Sequence, residues 1–445
     1  MEENHIHKPE GWKLVSQLGN LGKVFNGLSG KTKDDFGSGE PYIPYVNVFK
    51  NSKIDITELD YVIIKAGEKQ NIIEFGDIVF TTSSETIEEV GMTSVFLNNS
   101  GKFYLNSFCF IFRLNSNTWL VPEFSQYLFR SENIRHSISL LGQGSTRYNL
   151  SKTRLLKELN FQIPKDTKEQ AQIAIILSKV DEAITQTEQL IAKYTRIKTG
   201  LMQDLLTKGI DENGNIRSEE THQFKNSPLG RIPREWDCVN FGEYIELVHG
   251  YQFRNYDFTE TGTPIVKIGQ VKENGLDLSN CSFINPNRTQ LFTKQTINNG
   301  DVLMALTGAT LGKACMVSGL NNSVMQNYRV GRFEPIFEKN VNKTFLFFTL
   351  KSTLFLAQIF NSVNEAAQGN VGKSDFKKSY FIKPPFEEQS KIVRHIEKIF
   401  GLVEDLNLEL NKYQSLKTGL MQDLLSGKVR ANNLKTKDAN ETAPI

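Results

Sequence analysis

The sequence predicts an α+β chain assembled from two similar halves. Each half is a mixed α/β globule followed by a long helix, and the two helices run antiparallel as a coiled coil, which makes the whole pseudo-twofold. Three observations carry this reading. The nonapeptide KTGLMQDLL stands at 198–206 and again at 417–425. Residues 169–206 align with 388–425 without a gap and agree at 15 of 38 positions. Both segments also carry apolar residues at a seven-residue spacing. Self-similarity of this kind means that one structural unit occurs twice.

Residues 1–163 form the first globule. Its runs YIPYVNV, YVIIKAG, GDIVFTT and SFCFIFRL have strand composition with turn-like ends, and a helical pattern follows over 122–140. Residues 164–207 form the first rod, with Pro164 placed where a rigid turn leads into a helix. Ile173, Val180, Thr187, Tyr194 and Leu201 recur at every seventh position, flanked by Leu177, Ile184 and Ile191. Such a stripe is the mark of a coiled-coil seam.

Residues 208–230 are polar and turn-rich and read as a linker. The second globule, 231–385, repeats phrases of the first in the same order. PREW at 233–236 answers PEGW at 9–12, and GTPIVKIGQV from 262 answers GEPYIPYVNV from 39. NGDVLM at 299–304 answers FGDIVF at 75–80, and AAQGNVGKSDFKKS from 366 answers GQGSTRYNLSKTRL from 142. A helical pattern covers 343–361. Residues 386–427 form the second rod behind Pro384 and Pro385, with Ile392, Ile399, Leu406, Tyr413 and Leu420 in phase beside Ile396, Val403 and Leu410.

At 1.5 Å per residue, a 38-residue helix is about 57 Å long. Gly200 and Gly419 lie inside the rods and each costs about 1 kcal/mol relative to Ala. Either something approaches the backbone closely there or the helix breaks. The polar tail, 428–445, is expected to be disordered.

Composition bounds the function. Hydrophobic residues make up 39% and charged residues 23%, as in a folded soluble protein. Cys109, Cys238, Cys281 and Cys315 form no C-x-x-C pair, so neither a zinc ribbon nor a disulfide framework is expected, and a reducing, cytoplasmic setting is. The N-terminus lacks the apolar core of a signal peptide. The most apolar stretch, 345–360, is interrupted by Lys351, Ser352 and Gln358, so no membrane partner is expected. Residues 1–160 carry 17 Lys and Arg against 18 Asp and Glu, while residues 225–385 carry 18 against 13. Nucleic-acid binding must therefore rest on local clusters rather than on a global field.

Patterns for catalysis fall short. FNGLSGKT (25–32) has Phe25 where a phosphate-binding loop needs Gly, and reads as a turn. KPPF (383–386) has Lys383 where the Pro-Pro-aromatic motif of amino-methyltransferases needs an Asn or Asp to accept a hydrogen bond, and reads as a helix lead-in. The six His show no metal spacing. No catalytic residue, metal or cofactor is expected.

With these phrases in place, the chain resembles the specificity subunit of type I restriction–modification enzymes over residues 9–426. The carriers are the twin Trp…GD[IV][VL][FM] globules, the phrase LTGATLGKACMV (306–317), and the loops GQGSTRYNLSK and AQGNVGKSDFKK. The helices ending in IKTGLMQDLL and LKTGLMQDLL complete the set. The first globule departs from the pattern with TTSSETIEEVGMTSVF (81–96) in place of the Gly-rich phrase.

The resemblance implies two target-recognition domains, each reading one half of a bipartite site in double-stranded DNA. The helix pair would act as a ruler and as the docking surface for two methyltransferase subunits, and restriction/translocase subunits would complete the complex. The chain itself would be non-catalytic. A ruler suits the task, because the same groove returns only every helical turn, roughly 34–36 Å. The repeated nonapeptide would present one surface to two identical partners through Leu201, Met202 and Leu205 and through Leu420, Met421 and Leu424.

Base readout needs amide, hydroxyl and guanidinium groups on protruding loops, and Gly-rich loops bring backbone N–H to phosphate. The DNA contacts expected in the first half are Gln143, Ser145, Thr146, Arg147 and Tyr148, with Lys31 and Lys33 on phosphates. In the second half they are Tyr251, Gln252, Arg254, Asn255, Thr307, Thr310, Lys313, Gln368, Asn370 and Lys373. Two rival readings stay open at this point: a coiled-coil protein–protein adaptor with twin binding domains, and a stand-alone DNA methyltransferase or nuclease.

Overall fold

The computed structural model describes residues 9–116, 119–365 and 371–433. The chain divides into two compact units, one of residues 1–188 and 408–445 and one of residues 189–407. The divisions fall inside the two long helices, Thr167–Thr207 and Phe386–Leu425, so each unit contains a segment of both.

The first unit is built on a four-stranded antiparallel sheet in the order Gly22–Asn26, Cys109–Leu114, Ile78–Thr81, Thr93–Val95. Ile78 and Phe80 pair with Phe112 and Phe110. These four face a core with Phe124 and Phe129 from the short helical region and Ile173 and Leu177 from the first long helix. Val79 and Ile111 point the other way, into a second cluster with Ile43, Val48 and Phe96. Successive side chains on a strand alternate between faces, so a sheet covered on both sides needs an apolar residue at every position. That is why these strands read as unbroken apolar runs. A smaller three-stranded sheet adds a parallel pairing, Ile43 opposite Leu105.

The second unit repeats the plan. Its antiparallel sheet runs Ile245–His249, Val330–Pro335, Val302–Ala305, Ala314–Met316. Val302 and Met304 enter a core with Phe241, Phe333 and Phe345, while Leu303 and Cys315 enter another with Val266 and Val324. Its companion sheet has five strands and likewise one parallel pairing, Ile265 opposite Met325.

The rods follow the heptad pattern. Ile173, Leu177, Ile392 and Ile396 are fully buried, and the remaining seam positions are buried or half-buried. Within the first unit Asp181 meets Lys417 at 2.6 Å, and within the second Lys198 sits 3.6 Å over the Phe400 ring. Glu169 also meets Arg430 just past the second helix, and Glu388 accepts from Ile210 N–H just past the first, so within each unit the two helical segments are antiparallel. Both helices pass through Gly200 and Gly419 unbroken, which removes the local break allowed by the sequence.

Other expectations are corrected. YIPYVNV is not one strand: the strand ends at Ile43, and Tyr45–Lys50 is a short helix entered from Pro44. The two shorter helical patterns each split in two, before Ser131 and at Ser352, whose hydroxyls donate to Leu128 O and Thr349 O at 2.7 Å. Among the described residues no single helix is long and apolar enough to cross a membrane. The bent pair beginning at Lys343 is apolar because Phe345, Leu346 and Leu350 fill the core.

Both long helices begin Glu-Gln for a shared physical reason. Gln170 accepts from Val121 N–H at 2.9 Å and donates to Trp119 O and Pro164 O. Gln389 accepts from Asn342 N–H at 2.9 Å and donates to Asn340 O and Pro384 O. Each amide thus ties its helix start to two neighbouring segments. Beside them, Glu169 holds Arg430 through bonds of 2.6 and 2.7 Å, and Glu388 holds Arg217 and accepts from Trp236 Nε1 at 2.9 Å. Arg430 lies in the tail expected to be disordered from 428, yet it is paired and Ala431 is buried. Arg217 lies in the polar linker and is itself buried.

Removing one partner of a buried ion pair leaves the other charge uncompensated, at a cost of about 3–5 kcal/mol. Arg217→Met is expected to lower the stability of the second unit by that order in urea unfolding, and Glu388→Gln added to it to restore part of the loss. Unfolding midpoints unchanged in the single variant would refute the role given to this pair.

Candidate nucleic-acid interface

Two backbone hydrogen bonds recur in both units and fix one corner of each sheet. Thr82 N–H donates to Phe108 O at 2.8 Å, and Leu306 N–H donates to Arg329 O at 3.0 Å. Leu150 N–H donates to Thr82 O at 2.8 Å, and Val371 N–H donates to Leu306 O at 3.3 Å. Three segments therefore converge in each unit: the turn leaving a central strand, the turn entering its neighbour, and the stretch leading into a short helix.

In the first unit the third segment is a hairpin. Gly142–Gln143 pairs with Tyr148–Leu150, which pairs in turn with Ser83–Ser84. Its tip turns at Gly144, whose φ of +129° suits only glycine. Gln143, Ser145, Thr146 and Arg147 are exposed, while Tyr148 is half-buried and packs on the core. A cavity beside Arg147 is lined by Tyr45, Phe49, Ser84, Glu89 and Phe108. Tyr45 and Phe49 stack at 5.9 Å, and the Tyr45 hydroxyl donates to Ser83 O at 2.7 Å. Burial raises the Tyr45 phenol above its ordinary pKa, so it remains a donor. Phe108 stands 57% exposed at the rim.

In the second unit Tyr251 N–H donates to Gln326 O and Tyr328 N–H donates to Tyr251 O, both at 3.0 Å. The Tyr251 ring packs on Phe253 and Phe292 at 5.1 and 4.6 Å. Gln252, Arg254 and Asn255 are exposed beside it. Arg254 N–H donates to the Asp257 carboxylate at 2.7 Å, and Arg288 pairs with the same carboxylate at 2.7 Å, so the turn is held rigidly. Thr307 and Thr310 are half-buried, and Lys313 is exposed. Lys373 is exposed but meets Glu246 at 3.1 Å. Gln368 and Asn370 lie outside the described residues.

Sequence reasoning missed Arg329, Tyr328, Phe108 and Tyr45. Arg329 is exposed and lies 5.2 Å over the Tyr328 ring, at the corner position that Phe108 holds in the first unit. The available signal was position: both residues stand just before the strand that pairs with the GD[IV] strand.

Two expectations fail. Lys31 does not face solvent: its side chain is 4% exposed, its ammonium donates to Ile63 O at 2.6 Å, and it pairs with Glu68. That bond, with help from Gln70, holds the Glu68 carboxyl down at about 2. Lys33, two residues on, does remain exposed. Leu205 and Leu424 are equally unavailable to a partner, because they are buried in the cores of their units, whereas Leu201, Met202, Leu420 and Met421 are half-buried. Among the described residues no cluster of three or more His, Cys, Asp or Glu could hold a metal ion.

The model of the type I restriction modification DNA specificity domain matches the chain twice, over residues 9–196 and 233–412. The type I restriction enzyme MjaVIII specificity subunit of Methanocaldococcus jannaschii is 25% identical over 97% of this chain and 96% of its own length. The EcoKI specificity subunit of Escherichia coli K12 is 22% identical, covering 94% of this chain and 88% of that one. The crystal structure of the type I restriction–modification S subunit from M. genitalium superposes with a TM-score of 0.55 at 16% identity, covering 95% of this chain and 97% of that one.

The Lys31 pairing has a measurable consequence. A carboxyl whose folded pKa is depressed contributes stability that is present above its ordinary value of 4.5 and is lost as the pH falls towards about 2. Lys31→Met is expected to move the Glu68 titration, read by NMR, back towards the ordinary range. The stability gap between wild type and variant should close below that range, and affinity for DNA should be unaltered. A loss of DNA affinity would return Lys31 to the interface.

Proposed function

The chain belongs to the type I restriction–modification DNA specificity family, and from that premise we propose that its two units read the two halves of one bipartite site in double-stranded DNA. Residues 1–163 and 231–385 act as the target-recognition domains. The single observation that carries the reading is the recurrent corner. The same backbone hydrogen bonds present different side chains in the two units, Phe108 beside Arg147 in one and Arg329 over Tyr328 in the other. A constant scaffold with variable surface groups is what reading two different half-sites requires.

On this reading Gln143, Ser145, Thr146 and Arg147 address bases in one half-site, with Lys33 on a phosphate. Gln252, Arg254, Asn255 and Arg329 address the other, supported by Thr310 and Lys313. The exposed rings of Phe108 and Tyr251 offer apolar faces to base edges or thymine methyls. The chain performs no chemistry of its own. It positions two methyltransferase subunits, which dock at the repeated nonapeptide through Leu201, Met202, Leu420 and Met421, and restriction/translocase subunits complete the assembly in the cytoplasm.

Mapping methylated adenines in cells that carry the complex tests this directly. Arg147→Ala is expected to weaken binding by about 1–3 kcal/mol and to relax one position in one half-site. Arg329→Ala should do the same in the opposite half-site. Relaxation in the same half by both variants, or in neither, would sink the assignment.

A further inference from the structure

The two copies of KTGLMQDLL share one burial pattern at all nine positions. Leu205, Leu206, Leu424 and Leu425 are buried in the cores, which accounts for their identity. Thr199, Gly200 and Gln203 are exposed, as are Thr418, Gly419 and Gln422. Among the described residues, a Cβ added at Gly200 or Gly419 would meet nothing within 4 Å. Glycine is the poorest helix former after proline, and among the described residues no neighbour calls for it at either position. Identity at solvent-facing positions, including a helix glycine with open space around it, marks a surface that meets the same partner twice.

A groove adjoins each strip. Thr199, Met202, Gln203, Leu206 and Thr207 line one, and the matching Thr418, Met421, Gln422, Leu425 and Ser426 line the other. The facing walls differ. In the second unit they are mostly apolar, Leu229, Leu354, Phe355, Tyr380 and Ile382, with Thr353 and Gln358 among them. In the first they are Arg130, Ser131, Glu132 and Asn133, with Lys428 from just past the helix.

We propose that these grooves are unequal seats for the two methyltransferase subunits: the apolar groove beside Met202 takes an apolar segment of the first copy, and the polar groove beside Met421 takes the same segment of the second copy more weakly. The proposal rests on the reading that two such subunits dock on this chain. Against Leu354 and Ile382 an apolar side chain leaves water for an apolar wall, a gain absent in the other groove, where the same side chain would also strip water from Glu132 and Lys428. One well-buried apolar side chain is enough to separate two affinities by about tenfold or more.

The test is a titration of the full-length chain with its cognate methyltransferase subunit, followed by native mass spectrometry and calorimetry. The wild type is expected to accumulate a 1:1 complex before the 2:1 complex, with dissociation constants about tenfold further apart than two identical seats would give by statistics alone. Gly200→Leu puts a bulky helix-forming residue on the open face and should remove the tight step. Gly419→Leu should keep the tight step and stop at 1:1. Leu354→Lys should bring the two constants together. Statistically equal seats in the wild type, or equal losses from Gly200→Leu and Gly419→Leu, would overturn the inequality while leaving the docking of two subunits intact. Failure of the wild-type chain to bind the subunit would overturn the docking itself.

Discussion

The fold depends on a buried carboxylate at the start of each long helix. Glu169 and Glu388 are 0% and 8% exposed, where an unpaired charge is strongly disfavoured. The compensating guanidinium does not come from nearby sequence: Arg430 arrives from beyond the second helix and Arg217 from beyond the first. Each unit therefore closes only when the end of one helix is delivered to the start of the other. The adjacent Gln170 and Gln389, with their matched sets of three hydrogen bonds, hold the same junction without a net charge. Pairing and delivery are one event, which makes the tandem halves interdependent rather than serial.

Two further pairs of repeated carboxylates close turns at matching places in the two units. Asp35 accepts from Thr32 N–H at 2.8 Å and Asp257 from Arg254 N–H at 2.7 Å, each closing a short turn at the same place in its unit. Asp77 and Asp301 accept from Glu74 and Asn298 N–H at 2.7 and 2.8 Å just before the central strands. These contacts use backbone donors, so the side chains around them are free to differ. Thr32 and Arg254 occupy equivalent positions, as do Phe108 and Arg329, yet the backbone beneath is the same. The turns are kept by main-chain bonds to buried acids, and the side chains outside them differ between the units.

The sequence made the long-period features legible and left the paired charges hidden. Heptads and the nonapeptide repeat over distances far beyond any local ambiguity, so the rods and the doubling of one structural plan were readable. The Tyr45–Lys50 helix was not, because Tyr45, Val46 and Val48 favour strand by composition, and only tertiary packing of Val48 with Ile43 and Phe96 decides otherwise. Lys31 looked like a loop cation because its partner Glu68 stands 37 positions away, on another loop. Arg217 and Arg430 sit in polar, turn-rich stretches whose composition argues for solvent. No local pattern distinguishes a solvated arginine from one whose carboxylate lies 171 positions off.

Identical letters also do different work in the two halves. Lys198 and Lys417 hold the same place in the nonapeptide and are both half-buried. Lys417 meets the Asp181 carboxylate at 2.6 Å, whereas Lys198 lies 3.6 Å over the Phe400 ring, and burial lowers its pKa below the usual lysine value. Asp181 and Phe400 are themselves equivalent positions of the two rods. One helix is thus held there by an ion pair and the other by a cation–π contact. The plan shared by the two units is kept in the backbone, in the buried leucines and in the exposed Thr, Gly and Gln of the nonapeptide, and it is broken at contacts such as those of Lys198 and Lys417.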